Sequence, residues 1–283
     1  MDERAPKFPL ETAAGSSRQH AQSFCGDMAR RIATMLDLAP QAWDPGNSVP
    51  FGWHFALFGG ETRRAGLRSD GFPGLGIAMP PELGNRLVAL GRIVKMPGRI
   101  MVEQKLQRSS RIARIVTKRS EDGPVQIVTV EHLVRDAIQE VLLLEEQQTY
   151  LCTNRGFAPP VDDAAVEACD VVSAVIPDET MLFQFSALAF NSHKIHLDRH
   201  YAQSEGYPDI VVNGGLITLL MTEIARQRLS APIRQLQLRN RSPAFCNRMI
   251  RFAVDDYPAG CSITALDDSN RVVATMEIST DEL

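Results

Sequence analysis

The feature that most restricts the fold of this chain is a helix predicted at about residues 214–229, which is apolar on most of its sides. A helix with that pattern is buried rather than laid on a surface. Arg226 and Arg228 stand in its last turn, where they complement the helix dipole, and Pro232 ends it. The apolar positions of its first three turns are Leu216, Ile217, Leu219, Leu220, Met221, Ile224 and Ala225. The rest of the fold therefore has to enclose this helix.

Strand-like segments follow the helix and could supply that enclosure. Ile250, Phe252 and Val254 alternate along one of them, which is typical of a strand with one buried face. Residues 267–270, Asp-Asp-Ser-Asn, are a turn signal. The predicted strands are 233–241, 249–254, 262–266 and 272–278. This half of the chain predicts an antiparallel meander wrapped around one buried helix.

The first half of the chain repeats the order of one helix followed by strands. Residues 20–38 predict an amphipathic helix. Residues 111–119 and 125–134 flank Glu-Asp-Gly-Pro, a hairpin signal, and residues 137–150 predict one more long strand. Residues 41–81, rich in Gly, Pro, Asp and aromatic residues, predict a long loop that is functional or acts as a cover.

The length of 283 residues corresponds to about two domains. Residues 153–165, with Pro-Pro and Asp-Asp pairs, predict a linker between them. We therefore predict an α+β protein made of two diverged copies of one architecture. The N-terminal half is residues 1–152, and the C-terminal half is residues 153–283.

Composition argues against several classes of function. The formal net charge of −4 leaves no basic surplus for binding nucleic acid or an anionic membrane. The longest apolar run, residues 210–221, is too short to cross a bilayer. Five cysteines without a CxxC pair predict free thiols, and the acidic N-terminus lacks the apolar core of a secretory signal. We therefore expect a cytoplasmic protein.

The chain enters the buried helix through Asn213, Gly214 and Gly215. The first N–H groups of a helix have no intrahelical acceptor and carry partial positive charge. Because glycine lets another molecule approach the backbone closely, a carbonyl oxygen held here would be stabilised as it gains negative charge. The alternative, of about equal weight, is that the two glycines only allow close packing of the helix against a sheet.

Three of the six histidines, His193, His196 and His200, fall within eight residues of one another. On one helix face, with Asp198 nearby, they could hold zinc. The alternative that we prefer is a single neutral histidine acting as a general base, without a metal. In that case Asp198 could fix the tautomer of His196.

Residues 181–221 resemble the hydratase 2 motif of the MaoC-like hot-dog hydratases and dehydratases. That motif reads Asp-x-Asn-Pro-(apolar)-His, followed later by Val-His-Gly at the head of the central helix. Here residues 191–196 read Asn-Ser-His-Lys-Ile-His, and residues 211–215 read Val-Val-Asn-Gly-Gly. The chain resembles in particular the branch of type 2 hydroxyacyl-thioester dehydratases and mesaconyl-CoA and itaconyl-CoA hydratases. Trp-His-Phe at 53–55 and the Gly-rich stretch 71–76 fit that branch too.

The resemblance implies a double hot dog, in which two antiparallel sheets each wrap a central helix. It also implies addition of water to a 2-enoyl thioester, or the reverse, with no metal or other cofactor beyond the coenzyme A of the substrate. His196 matches the catalytic histidine, and the thioester oxygen would bind near Gly214 and Gly215. Two residues depart from the motif: Asn191 replaces its catalytic Asp, and Asn213 replaces its second His. An amide can orient groups by hydrogen bonds but cannot transfer a proton.

Further side chains are expected to bind the substrate. Arg239 could contact coenzyme A phosphates or a substrate carboxylate, or lie on an ordinary solvated strand face. Tyr207 could donate a hydrogen bond or simply pack. The expected site is His196 and Asn191 as catalytic residues, Gly214 and Gly215 as the oxyanion hole, and Asn213, Tyr207, His193, Asp198 and Arg239 as substrate-binding residues.

We expect a hydro-lyase acting on a short, branched, dicarboxylic enoyl-CoA such as itaconyl-CoA or mesaconyl-CoA. One alternative is a dehydratase of 3-hydroxyacyl thioesters in fatty acid synthesis, with coenzyme A or acyl carrier protein as the thiol. Others are a hot-dog thioesterase, a non-catalytic acyl-CoA-binding module and a metal hydrolase. We expect a small-molecule substrate and no nucleic-acid or membrane partner, and a homo-oligomer is common for such folds.

Overall fold

The computed structural model describes residues 18–39, 41–57, 62–75, 77, 83–84, 86–120, 123–157 and 170–281. Within these residues, ten β-strands form one antiparallel sheet, and five α-helices connect or precede them. The strands are β1 (Arg18–Ser23), β2 (Arg86–Lys95), β3 (Lys105–Ser120), β4 (Gly123–Asp136), β5 (Leu142–Thr153), β6 (Val171–Val175), β7 (Gln235–Asn240), β8 (Ile250–Tyr257), β9 (Gly260–Leu266) and β10 (Val272–Ser279). The helices are α1 (Gly26–Met35), α2 (His54–Leu57), α3 (Glu179–Leu188), α4 (Arg199–Ser204) and α5 (Gly214–Arg228).

The two halves of the sheet have the same connectivity. The strand order is β1-β3-β4-β5-β2 in the first half and, read from its outer edge, β6-β8-β9-β10-β7 in the second. The halves meet where β2 pairs with β7, from Gly91 opposite Arg239 to Lys95 opposite Gln235. Two copies of one architecture are therefore confirmed, but the two sheets are joined edge to edge into one. This pairing satisfies backbone groups that two open edges would leave without partners.

Helix α5 begins at Gly214 and ends at Arg228, as the apolar pattern predicts. Leu216 and Met221 have no exposed surface and belong to a hydrophobic cluster with members from both halves. Glu223 of this helix is also buried, and its Oε1 accepts a hydrogen bond from the indole N–H of Trp53 at 2.6 Å. Arg226 of the same helix also donates to this carboxylate, so the N-terminal half supplies one of the two partners that the buried charge requires.

Two element boundaries predicted from the sequence are wrong. The predicted helix at 20–38 begins too early, because residues 20–23 belong to β1. These residues pair with β3, with Ser23 opposite Lys105. Residues 137–139 form a turn and not the start of a long strand. Asp136 sets that turn, since its Oδ1 accepts hydrogen bonds from two successive backbone N–H groups at 2.7 Å.

The predicted hairpin is confirmed as β3 and β4, and the C-terminal strands are confirmed as β7 to β10. Most of the predicted linker at 153–165 lies outside the described residues, as does Cys169, so the division at residue 152 stays a prediction. Parts of the predicted loop at 41–81, including Phe58 and Gly76, also lie outside them. No helix of the described chain is long and apolar enough to span a membrane.

Candidate active site

A cavity of about 650 Å³ opens where the two halves of the chain meet. Its walls include the beginning of α5, the segment 191–196 that precedes α4, and residues 72–75 of the N-terminal half. Strands β2 and β5 close another side. The cavity therefore joins the segment that carries the sequence motif to a surface supplied by the other half.

His196 lies in this cavity at the end of a 3₁₀ turn, Lys194–His196. Its Nδ1 is 2.8 Å from the backbone carbonyl oxygen of Val211. Because a carbonyl can only accept, Nδ1 carries the proton and Nε2 has the lone pair. Burial, and to a lesser degree His193, lower the pKa of His196 to about 3, while the bond to Val211 opposes the shift. The ring is therefore neutral at pH 7 and able to accept a proton.

His193 also lines the cavity, with its ring centre 5.5 Å from that of His196 at right angles. Its Nε2 lies 3.8 Å from Oδ2 of Asp70, and Phe72 packs edge-on against it. Burial lowers the pKa of His193 to about 4; Asp70 opposes this shift, and Arg68 adds to it. His193 is thus a neutral wall of the site, held by residues that the sequence did not single out.

A loop of the N-terminal half clamps the segment that carries both histidines. Ser192 donates its hydroxyl to the carbonyl of Gly71 at 2.7 Å, and the carbonyl of Asp70 accepts the N–H of Lys194 at 2.8 Å. Gly71 has a φ of +74°, and a Cβ there would stand 2.3 Å from the carbonyl oxygen of Ser192. Only glycine fits this contact. The described part of the loop predicted at 41–81 therefore contacts the segment that carries both histidines.

Asn191, expected as a catalytic residue, lines the cavity. Its Oδ1 accepts the backbone N–H of His193 at 3.1 Å, so that oxygen shapes the turn leading to His196. The amide NH₂ group can donate hydrogen bonds, and neither amide atom can transfer a proton. The arrangement allows Asn191 to orient groups but gives it no proton to exchange.

The two glycines at the start of α5 differ in their surroundings. A Cβ on Gly214 would have no atom within 4 Å, and this residue lines the cavity. A Cβ on Gly215 would stand 2.9 Å from Cζ of Phe185 in α3. Gly214 thus leaves room for a ligand, as the first interpretation expects. Gly215 also lines the cavity but packs closely against a helix, not against a sheet. The oxyanion hole itself stays a prediction.

Asn213 precedes α5 and is 2% exposed. Its Nδ2 donates to the hydroxyl of Ser186 at 3.3 Å, and its Oδ1 is buried with no hydrogen-bond partner among the described residues. An unsatisfied buried acceptor is costly unless a ligand or water completes it. The N–H groups of residues 214–216 have no intrahelical acceptor either, because the first intrahelical bond joins Ile217 N–H to the Asn213 carbonyl.

Tyr207 is buried in the cavity wall, stacked on Phe157, with the guanidinium carbon of Arg86 4.8 Å from its ring centre. It therefore packs as well as lining the site.

Three residues expected near the chemistry lie elsewhere. Asp198 is exposed and caps α4, where its Oδ1 accepts the N–H of Tyr201 at 3.0 Å. The group that fixes the tautomer of His196 is therefore the Val211 carbonyl and not Asp198. His200 is exposed on α4 and does not share a helix with the other two histidines. Arg239 is exposed, because the neighbouring inward positions of β7 are filled by leucines; Arg241, beyond the strand, lines the cavity instead.

The sequence analysis missed a polar cluster on the inner face of the N-terminal half. Its members line the deep side of the same cavity and are His54, Arg92, Arg108, His132, Glu146, Gln148 and Tyr150. His132 stands opposite Ser110 on β3 and Glu146 on β5, so the strand register itself places these groups side by side. The only sign of this cluster in the sequence is that, along these strands, charged residues stand at alternating positions that face inward and are otherwise apolar.

Glu146 carries the negative charge of this cluster. Burial alone would raise the pKa of its carboxyl group, but Arg92, the two histidines and Gln148 together hold it below the ordinary value. Burial lowers the pKa of both His54 and His132 to about 4 against the opposing effect of Glu146. At pH 7 the cluster therefore contains two guanidinium ions, one carboxylate and two neutral imidazoles.

The sequence comparisons agree with this geometry. The family model described as hydroxyacyl-thioester dehydratase type 2 matches residues 52–246. Mesaconyl-C(4)-CoA hydratase of Chloroflexus aurantiacus is 33% identical over 243 residues, which cover 82% of this chain and 83% of the relative. The mitochondrial hydroxyacyl-thioester dehydratase type 2 of Schizosaccharomyces pombe is 26% identical over 236 residues, covering 74% and 78%.

Solved structures share the fold at low sequence identity. HtdX of Mycobacterium tuberculosis has a TM-score of 0.67 at 14% identity, covering 93% of this chain and 99% of its own. A MaoC-like dehydratase of Phytophthora capsici has a TM-score of 0.68 at 12% identity, covering 94% and 95%. A further M. tuberculosis protein, described as a double hot dog, has a TM-score of 0.62 at 12% identity and covers 95% and 96%. The expected double hot dog is confirmed, and the chain is a hydro-lyase that belongs to the hydroxyacyl-thioester dehydratase type 2 family.

Proposed function

We propose that this protein adds water to a short, branched, dicarboxylic 2-enoyl-CoA, such as mesaconyl-CoA or itaconyl-CoA, to give a citramalyl- or methylmalyl-type CoA. The observation that carries the proposal is that a neutral histidine with a free Nε2 shares one cavity with the open N-terminus of α5. The name of the mesaconyl-C(4)-CoA hydratase relative supports the dicarboxylic acyl group.

The thioester carbonyl oxygen would lie against the beginning of α5, beside Gly214. The backbone N–H groups there have no intrahelical acceptor, and the helix dipole favours negative charge. As water attacks the β-carbon, the electron pair of the double bond moves to the α-carbon and the thioester oxygen. The site would therefore stabilise the enolate-like state more than the neutral thioester.

His196 would take the proton of the attacking water through Nε2. The second hydrogen of that water needs an acceptor, and Oδ1 of Asn213 is the buried acceptor that lacks a partner among the described residues. Two acceptors would thus orient one water molecule, while Asn191 could orient the reacting groups by hydrogen bonds without exchanging a proton. This assigns Asn213 a role in place of the histidine found in the motif.

The same imidazole can then complete the reaction. Because burial lowers the pKa of His196 to about 3, its protonated form is a strong acid. That form would give the proton to the α-carbon, so an O–H bond breaks, a C–O bond and a C–H bond form, and His196 returns to its neutral state. The step needs no metal or cofactor other than the coenzyme A in the substrate.

The coenzyme A part would lie toward the cavity mouth. Arg155 and Arg241 line the cavity and suit phosphate groups. We propose Arg241 for this contact in place of Arg239, which lies outside the cavity. We also propose a cytoplasmic location, supported by the free thiols of Cys25, Cys152, Cys246 and Cys261. A homo-oligomer stays a prediction that size-exclusion chromatography with light scattering would test.

The deciding assay follows the ultraviolet absorbance of a conjugated enoyl thioester over time. Mesaconyl-C4-CoA, itaconyl-CoA and crotonyl-CoA are offered in parallel, with product mass measured and a thiol reagent in matched cuvettes. We expect a product heavier by one water molecule from a dicarboxylic substrate, without thiol release. Thiol release would show a thioesterase instead. Turnover of crotonyl-CoA alone would favour the dehydratase alternative, which the name of the S. pombe relative supports.

A further inference from the structure

Arg92 is placed where the two halves of the sheet join. It lies on β2, opposite Gln148 of β5 on one side and Leu238 of β7 on the other. Directly paired residues of neighbouring strands share a face of the sheet. Leu238 is 2% exposed and points inward, so the side chain of Arg92 also projects into the interior, where it lines the cavity.

Two contacts hold the guanidinium group in one position. Its Nη1 donates to Oε1 of Glu146 at 3.0 Å, and the ring of Phe55 lies 4.4 Å from its central carbon. Gln148 donates to the same carboxylate oxygen at 3.0 Å and so fixes Glu146 in turn. An arginine fixed in this way is already ordered before any ligand arrives, which lowers the entropic cost of binding.

The remaining edge of the guanidinium group is open to a ligand. Nε and Nη2 donate no hydrogen bond to the described residues, and neither is closed off from solvent. The side chain keeps 15% of its surface accessible. The N–H groups of Nε and Nη2 point in parallel, which is the geometry that binds both oxygens of a carboxylate.

The charges along the cavity favour an anion at this place. Among the described residues that line the cavity, five are arginines, whereas Glu146 is the single carboxylate. Arg92 is in hydrogen-bond contact with that one carboxylate, and the lowered pKa values of His54 and His132 keep both rings neutral at pH 7. A carboxylate on the ligand would therefore enter a cavity whose lining charges are mostly positive.

We propose that Arg92 forms a subsite that binds a second carboxylate of the acyl group and thereby selects dicarboxylic over monocarboxylic acyl thioesters. The proposal rests on the proposed function for the reaction, but the binding of the carboxylate does not depend on turnover. An acyl group that ends in a methyl would leave the N–H edge of the guanidinium group facing apolar atoms without a hydrogen-bond acceptor. Selection therefore comes from the cost of that unpaired edge as well as from the bond to a carboxylate.

The test measures binding of two saturated thioesters that cannot be hydrated. Succinyl-CoA and butyryl-CoA have the same chain length and differ by a terminal carboxylate against a methyl. Calorimetry gives both Kd values for the wild type, for Arg92→Gln and for Arg92→Gln/Glu146→Gln. The single change would leave the buried carboxylate of Glu146 without its ion-pair partner and could unfold the protein. The double variant removes both charges, so it tests the altered subsite in a protein without that unpaired carboxylate.

A matched control lies on the other face of the same half. Arg111 of β3 pairs with Glu131 of β4, opposite in register, and its side chain is 55% exposed outside the cavity. Arg111→Gln and Arg111→Gln/Glu131→Gln repeat the two charge changes without touching the cavity. We expect these variants to keep the ligand preference of the wild type.

We expect the wild type to bind succinyl-CoA at least about 100-fold more tightly than butyryl-CoA, and both Arg92 variants to lose most of this ratio. The kcat/KM for mesaconyl-C4-CoA should fall by a similar factor in them, while that for any monocarboxylic enoyl-CoA that is turned over changes little. No preference in the wild type, or a preference that survives in both Arg92 variants, would overturn the subsite. A preference that depends on Arg92 in a protein that hydrates nothing would refute the proposed function but not the subsite.

Discussion

The Nδ1 of His196 lies 2.8 Å from the carbonyl oxygen of Val211, three residues before the start of the buried helix. One short segment therefore both fixes the tautomer of the histidine and leads into the helix N-terminus. Any shift of α5 along its axis would move the proton acceptor and the proposed oxyanion site together. This coupling explains how a base without a carboxylate partner can be held in place.

Four histidines with lowered pKa values predict a loss of stability in mild acid. Their pKa values are about 3 for His196 and about 4 for His54, His132 and His193, against an ordinary value of 6.5. Below pH 6.5 the unfolded chain binds protons that the folded chain does not, so stability falls as pH falls toward the folded pKa values. Each such histidine contributes up to about 1.4 kcal/mol per pH unit.

Urea unfolding at pH 7.5, 6.0 and 5.0 measures this effect. His132→Asn, which keeps a polar group of similar size without its titration, should show a smaller loss between pH 6.0 and 5.0. A free energy of unfolding that stays constant from pH 7.5 to 5.0 would contradict these pKa shifts.

Gly214→Ala and Gly215→Ala should fail in different ways. The first adds a methyl group to open cavity space, so we expect a lower kcat/KM with an unchanged melting temperature. The second pushes against Phe185 at 2.9 Å, and overpacking of this kind costs about 1–3 kcal/mol. Differential scanning calorimetry and steady-state kinetics on both variants separate the effects. The reverse pattern would show that the roles of the two glycines are exchanged.

Asp198→Ala should reduce stability without affecting the chemistry. The carboxylate caps α4 and lies outside the cavity, so its loss costs about 1 kcal/mol, the usual value for an N-cap. We expect kcat/KM within a factor of about two of the wild-type value, as for other exposed residues away from the site. A large fall in kcat with an unchanged melting temperature would return Asp198 to the site.

Gly71→Ala should lower kcat, although Gly71 lies in the N-terminal half and His196 in the C-terminal half. The added methyl group would meet the Ser192 carbonyl at 2.3 Å and sits at a positive φ, so the loop must move away from the segment that carries His196. Gly46→Ala is the matched control, because it has a similar φ of +88° but no atom within 4 Å. We expect the first variant to lose much more kcat than the second, and equal kinetics would show that the clamp does not matter.

Local pattern was enough to predict several elements. Helix α5 ends one residue before the predicted end, because an apolar run of this length bounded by Gly214 and Pro232 allows few alternatives. The hairpin of β3 and β4 follows from its turn residues in the same way. The motif resemblance brought His196, Asn191 and Gly214 together, and all three line one cavity.

Contacts between distant parts of the chain were beyond such reasoning. Strand β1 has only six residues, and its partner Ser110 is far away in sequence, so no local signal distinguishes it from a helix start. The clamp of Gly71 on Ser192 is equally non-local. Arg92 and Glu146 were not predicted for another reason. Sequence alternation along a strand assigns the inward-facing positions to an apolar core, but here two of those positions carry charged residues.

The kinetics of His196→Ala with mesaconyl-C4-CoA decide whether His196 is the general base. We expect kcat to fall by about 10²- to 10⁴-fold, the contribution of a general base, while the melting temperature and the Kd of succinyl-CoA stay near the wild-type values. His200→Ala, which changes an exposed histidine on α4, is the control and should keep full activity. A folded His196→Ala enzyme with wild-type kcat would show that another group takes the proton.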